Sequence, residues 1–271
     1  MVCKVVCIGS WQPLGQGLRF RRMDWPRHDT PLRPWLARTA SLRPFSYYTK
    51  TGPDLEMGGF IGIRKKLALH KAPAIPAQDL ATAWTKTKEY VEQAMALLSM
   101  PDGGTLDSDE VEMIREELGD PPVMCCPIYM ITVRDEADER LVYVGKNSAS
   151  SSRFAGGHAA ITKLHAPRYR NKSKWIYLAQ VMLLTADDYL PLEWVHPLDR
   201  ALGILASVEA ELIFSLKPEL NTQKKNRSYV TDSFQIHIQN LIPDSKFLES
   251  KFVGPSYHHR DEPVIKKRRR K

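Results

Sequence analysis

The spacing of apolar residues changes period along the chain, and each change marks an element. Between residues 78 and 100 the apolar positions Leu80, Trp84, Tyr90, Val91, Met95, Leu97 and Leu98 recur at helical intervals, and Pro101-Asp102-Gly103-Gly104 stops the run. Ser108 then precedes Asp109, Glu110 and Glu112, which suits an N-cap and an acidic first turn, and Gly119 with Pro121 and Pro122 closes a second helix. Beyond the double proline, CPIYMITVR (126–134) and RLVYVG (140–145) are rich in β-branched and aromatic residues and flank the acidic connector DEADE, so they predict a β-hairpin. Ser150 to Ser152 can cap a helix from about Arg153 to Leu164, although Gly156 and Gly157 weaken its first turn. KWIYLAQVMLL (174–184) predicts a third, central strand, and a helix over 198–216 ends at Pro218.

The order β-β-α-β-α over residues 123–225 predicts an α+β core, with helices packed on a three-stranded mixed sheet. Residues 56–122 read as an α-helical N-terminal segment and 226–271 as a C-terminal extension with a basic tail. Residues 1–55, rich in Arg, Pro and Trp, keep neither period and predict an irregular or poorly ordered leader.

Composition narrows the class without choosing a function. Apolar residues at 43% and charged residues at 26% are ordinary for a soluble globular protein. The chain shows no run of 18 apolar residues and no secretory pattern at its start, so the expectation is an intracellular protein, cytoplasmic in a bacterium or nuclear in a eukaryote. Cys3, Cys7, Cys125 and Cys126 form neither a disulfide framework nor zinc-ligand doublets. The net charge of +8 is uneven, since residues 1–50 carry nine basic and two acidic side chains while residues 51–120 carry seven and thirteen. A polyanionic partner or a plain solvated basic surface would both give this balance. The terminal KKRRRK (266–271) reads as a tail adding nonspecific phosphate affinity, or as a nuclear-import signal.

Four features of the central unit carry candidate chemistry. Tyr129 and Tyr143 fall in the middle of the two hairpin strands, where cross-strand packing is the ordinary role. From Val142 through Ala186 there is no Asp or Glu, while Lys146, Arg153, Lys163, Arg168, Arg170, Lys172 and Lys174 all occur, which fits either a surface meeting phosphate, with Tyr169 and Trp175 available to stack on bases, or equally a plain basic face. At 100° per residue, Leu198, Leu202, Leu205, Leu212, Ile213 and Leu216 lie within about 60° of Glu209, so this carboxylate projects from the centre of an apolar stripe. A buried carboxylate costs several kcal/mol unless it is paired or holds a metal, whereas Glu211, about 200° away, is expected on the polar face. Asn221, just past Pro218, is by itself an ordinary turn residue.

Taken together these residues resemble the GIY-YIG endonuclease family. The first motif reads PIY (127–129) and the second YVG (143–145), followed by Lys146, with Arg153 ten residues after Tyr143 and Asn221 twelve after Glu209. The resemblance covers residues 125–225 and leaves both flanks unassigned. Pro127 replaces the first glycine and Val144 the isoleucine, and the histidine usual after the arginine is His158, with His165 as a second candidate. The resemblance implies a phosphodiester hydrolase acting on double-stranded DNA, of restriction or mobile-element type or else a structure-specific repair nuclease. A non-catalytic nucleic-acid-binding module is the further alternative. It assigns Glu209 to Mg²⁺, with Mn²⁺ able to substitute, and Tyr129 to activating water, with Tyr143 orienting. It gives Arg153 and Lys146 the phosphate, His158 an auxiliary role and Asn221 the geometry of the site. Lys163, Arg168, Arg170, Lys172 and Lys174 would contact DNA, and a homodimer is expected if both strands are cut.

Overall fold

A computed structural model describes residues 31–36, 38, 58–74, 79–136, 138–148, 159–184, 189–226, 234–243 and 245–254. In chain order the elements are α1 (Arg33–Leu36), β1 (Gly59–Ala68), α2 (Leu80–Leu97), α3 (Ser108–Leu118), β2 (Ile128–Asp135) and β3 (Asp138–Lys146). There follow α4 (Ala159–Lys163), β4 (Ser173–Leu184), β5 (Tyr189–Pro191), α5 (Leu198–Leu216), β6 (Ile236–Asn240) and β7 (Ser250–Val253). The fold is mixed α+β, built on a seven-stranded sheet in the order β3-β2-β4-β1-β6-β7, with β5 added beside β4. The pairings are antiparallel except for β1 with β6, which is parallel.

Strand periodicity gives the sheet two apolar faces. Ile128 and Met130 of β2 join Ile61, Val181 and Ile236 under α2, α3 and α5 in the larger core. Tyr129, Ile131 and Val133, one residue out of phase, join Ile176, Leu178, Ala160 and Tyr169 on the other side.

The helices begin and end where local chemistry directs. Asp79 caps α2 by accepting from the Thr82 N–H at 2.8 Å, and Leu80, Trp84, Val91, Ala94 and Met95 make its buried face. Asp107, rather than the expected Ser108, caps α3 in a reciprocal box with Glu110. α5 ends at Lys217 in the left-handed region, just before Pro218.

Beyond the expected three-stranded sheet, the flanks contribute strands. Strand β1 lies inside the segment expected to be helical, between β4 and β6, and the presumed C-terminal extension supplies β6 and β7. Within the presumed leader, Leu32 and Trp35 are buried in the larger core, and the Trp194 indole N–H donates to the Pro31 carbonyl at 2.7 Å. The expected helix over 153–164 is described only at Ala159–Lys163. Among the described residues no helix is long and apolar enough to cross a membrane.

Candidate functional site

The hairpin brings the two motif tyrosines together on one face. Tyr129 of β2 is opposite Gly145 of β3 in register, and Tyr143 is displaced by two positions. The rings stack at a centroid separation of 6.0 Å and an interplanar angle of 27°. Tyr129 is buried and Tyr143 only partly so. The close approach depends on the glycine of the second motif, because a Cβ at Gly145 would stand 2.4 Å from both Cζ and Oη of Tyr129. The spacing of the two motifs therefore has a steric reason: the glycine makes the room that the first tyrosine fills.

Asn221 ties the end of α5 to this hairpin. Its Nδ2 donates to the Val144 carbonyl at 2.8 Å, and its Oδ1 accepts from the Val144 N–H at 2.9 Å. With the Leu220 N–H donating to the Val142 carbonyl at 2.8 Å, residues 220–221 cover part of the outer edge of β3. Val144 lies between Tyr143 and Gly145, so the backbone carrying the second motif is held from the side.

Glu209 is buried on α5 and accepts from Lys224 Nζ at 2.7 Å, an ion pair whose side chains are 11% and 25% exposed respectively. Lys224, three residues after Asn221, carries no periodic signal in the sequence, and its proximity to that asparagine is the one cue to its place. Glu211, expected in solvent, is buried and accepts from Ser215 Oγ at 2.5 Å. Packing buries this side chain. A Cβ on Gly254, which follows β7, would lie 3.5 Å from Glu211 Cγ, so the C-terminal hairpin covers the face of α5 that a shorter module would leave in water.

The basic window divides by environment. Lys163, His165, Arg168 and Arg170 are exposed, whereas Lys172 and Lys174 are partly buried. Lys174 donates to the carbonyls of Tyr169 and Lys172, Lys172 pairs with Asp135, and Arg168 pairs with Glu219 at 3.0 Å. Tyr169, expected to stack on a base, is fully buried beneath the Arg168 guanidinium, 4.8 Å from its ring. Trp175, the other expected stacker, packs against the core on the opposite face of the sheet from Tyr129 and lies under Lys66 Nζ at 4.6 Å. Lys146 sits at the end of β3, partly buried, while Arg153 and His158 lie outside the described residues, as does the basic tail.

Burial narrows other chemistry. It pushes the Cys126 thiol up to about 12 and the Cys125 thiol well above its usual range, with Glu193 adding to the second shift, so neither sulfur is a ready thiolate. On the face away from Tyr129, burial would raise the Glu139 carboxyl, but hydrogen bonds from Thr132, Tyr177 and Lys66 outweigh it and hold the group below the usual range. Among the described residues no group of three or more His, Cys, Asp or Glu is disposed to hold a metal. A single carboxylate does fit Mg²⁺ where water and phosphate oxygens supply the remaining positions.

Comparison with protein-family models, with curated proteins and with solved structures found no match to the chain.

Proposed function

We propose that the protein is a metal-dependent DNA endonuclease of the GIY-YIG type, hydrolysing phosphodiester bonds in a restriction or mobile-element role. The observation that carries this reading is the Asn221 clamp on Val144, which joins the helix bearing buried Glu209 to the strand bearing Tyr143.

In this reading the partly exposed Tyr143 and the Tyr129 phenol beside it orient and deprotonate the attacking water. Arg153 and Lys146 hold the nonbridging phosphate oxygens, His158 assists proton transfer, and exposed Lys163 and Arg170 follow the DNA backbone. Arg168, Lys172 and Lys174 contribute to the same positive surface, Arg168 and Lys172 through partly neutralised charge. Glu209 would hold a divalent ion, Mg²⁺ or Mn²⁺, which when bound neutralises the scissile phosphate and the departing oxygen. Attack of water on phosphorus breaks the P–O bond, and the leaving oxygen takes up a proton.

The test is incubation of the full chain with supercoiled plasmid and with branched duplexes, with and without Mg²⁺. Mg²⁺-dependent nicking or linearisation of plasmid is the expected result. Cleavage confined to branched DNA would move the assignment to structure-specific repair. Binding without any cleavage of either substrate, under Mg²⁺ or Mn²⁺, would overturn the nuclease reading in favour of a binding module.

A further inference from the structure

The ion pair between Glu209 and Lys224 bears on how the proposed site is loaded. Among the described residues the carboxylate has one strong partner, the Lys224 ammonium at 2.7 Å, and the pair is largely withdrawn from water. Its loop is held in place from one side, since the Asn221 amide is bonded to Val144 three residues earlier. Lys224 also has φ 66, in the left-handed region that costs a residue with a Cβ, so the loop presents this lysine in a conformation the surroundings must enforce. A divalent cation brought to Glu209 would meet an ammonium already bonded to Oε2, and the repulsion is strong at such separations in a partly dry site. A phosphodiester is the alternative acceptor for that ammonium, and DNA supplies one.

We propose that Lys224 is a counter-ion gate: in the free protein it occupies Glu209, and on DNA binding it transfers to a backbone phosphate, leaving the carboxylate free for the divalent ion. This rests on the nuclease reading above and assigns Lys224 a positioning role. DNA and metal then bind cooperatively, and linkage makes the coupling reciprocal.

The experiment titrates Mn²⁺ alone, followed by electron paramagnetic resonance, into the full chain with and without a saturating short duplex. It compares the wild type with Lys224→Met, Glu209→Gln and the double variant, each checked by melting. The expected result is weak Mn²⁺ binding by the free wild type and a gain on the order of tenfold in Lys224→Met. The gain should be absent in the double variant, and the duplex should raise Mn²⁺ affinity by a smaller factor in Lys224→Met than in the wild type. A purely structural salt bridge would leave the factor gained from duplex the same in Lys224→Met as in the wild type, and that result, or no gain at all in Lys224→Met, overturns the gate. Should Lys224→Met fail to fold, Lys224→Gln takes its place with the same expectations. If Glu209→Gln binds as much Mn²⁺ as the wild type in the presence of duplex, the metal assignment of Glu209 itself fails. If that variant loses Mn²⁺ while Lys224→Met gains none, only the gate fails.

Discussion

Gly145 and the two carboxylates of α5, Glu209 and Glu211, each turn on a single atom or charge, which lets point changes separate their roles. Gly145→Ala adds one carbon at a position 2.4 Å from the Tyr129 phenol, and that ring is buried and cannot swing clear. The expected outcome is a loss of about 2 kcal/mol or more in a denaturant melt, typical of overpacking, with displacement of Tyr129 lowering any cleavage rate in parallel. Unchanged stability would mean that the hairpin relaxes freely there. Glu209→Gln is expected to abolish Mg²⁺-dependent cleavage while keeping DNA affinity measured in Ca²⁺. Glu211→Gln should keep cleavage and cost about 1 kcal/mol, because the Ser215 hydroxyl loses a charged acceptor but keeps an oxygen. Cleavage lost in the second variant and kept in the first would reverse the assignment. Glu193 supplies a pH test away from the site. Burial raises its carboxyl above the usual range despite hydrogen bonds from Cys125. A raised acid binds its proton more tightly when folded, so its contribution is present below the ordinary glutamate value and is lost as pH rises through the folded value. Glu193→Gln, which keeps the acceptor for the Cys125 N–H, should melt increasingly above the wild type as pH climbs across that window. A difference independent of pH would show that the carboxyl is not the titrating group.

At the scale of elements, the edge of β3 is the most exposed dependency. Asn221→Ala leaves the buried Val144 N–H and carbonyl without partners, and two such groups cost about 2–4 kcal/mol. Hydrogen exchange should accelerate at Val144 more than at Ile131, which is paired within the sheet. Equal protection at both would mean that the edge is held by something other than the amide. This same region shows what the sequence makes legible. The hairpin, β4 and α5 follow from alternation and from the 3.6-residue period, and α5 spans the expected 198–216. Strand β1 escapes that reasoning because only its first half is buried, and a register shift at Arg64 precedes Lys65 and Lys66. Strand β6 is five residues long and buries Gln239 and Asn240, so it lacks the apolar signature of an interior strand. Helical phase correctly puts Glu209 in the apolar stripe, but phase says nothing about what packs on the opposite face. Phase alone therefore puts Glu211 in water, whereas the C-terminal hairpin covers it. The Lys224 contact depends on the path of an irregular loop, for which periodicity offers no guide.

At the scale of the whole molecule, the segment resembling a nuclease module is embedded in its flanks. The larger core joins Leu32, Ile61, Leu80 and Ile114 from before residue 123, Ile128, Tyr177 and Leu212 from within the segment, and Phe234, Ile238 and Val253 from beyond 225. β4, expected as the central strand of the segment, is the outer one of its order β3-β2-β4 and is central only in the full sheet, where it pairs with β1 along Trp175 to Leu183, so excising residues 123–225 exposes an unpaired edge nine residues long on the β1 side. The same cut uncovers the faces of Ile128, Met130 and Val181, each with almost no exposure in the full chain. Removing the partners of a contiguous core leaves too little buried apolar surface to offset the entropy of ordering the remaining chain. The full chain should therefore unfold in one calorimetric transition, with calorimetric and van't Hoff enthalpies in agreement, and the isolated 123–225 fragment should show no cooperative melt and no near-ultraviolet dichroism. A fragment that melts cooperatively, and retains Mg²⁺-dependent cleavage, would show instead that the flanks pack against an autonomous module whose sheet needs only β2, β3 and β4.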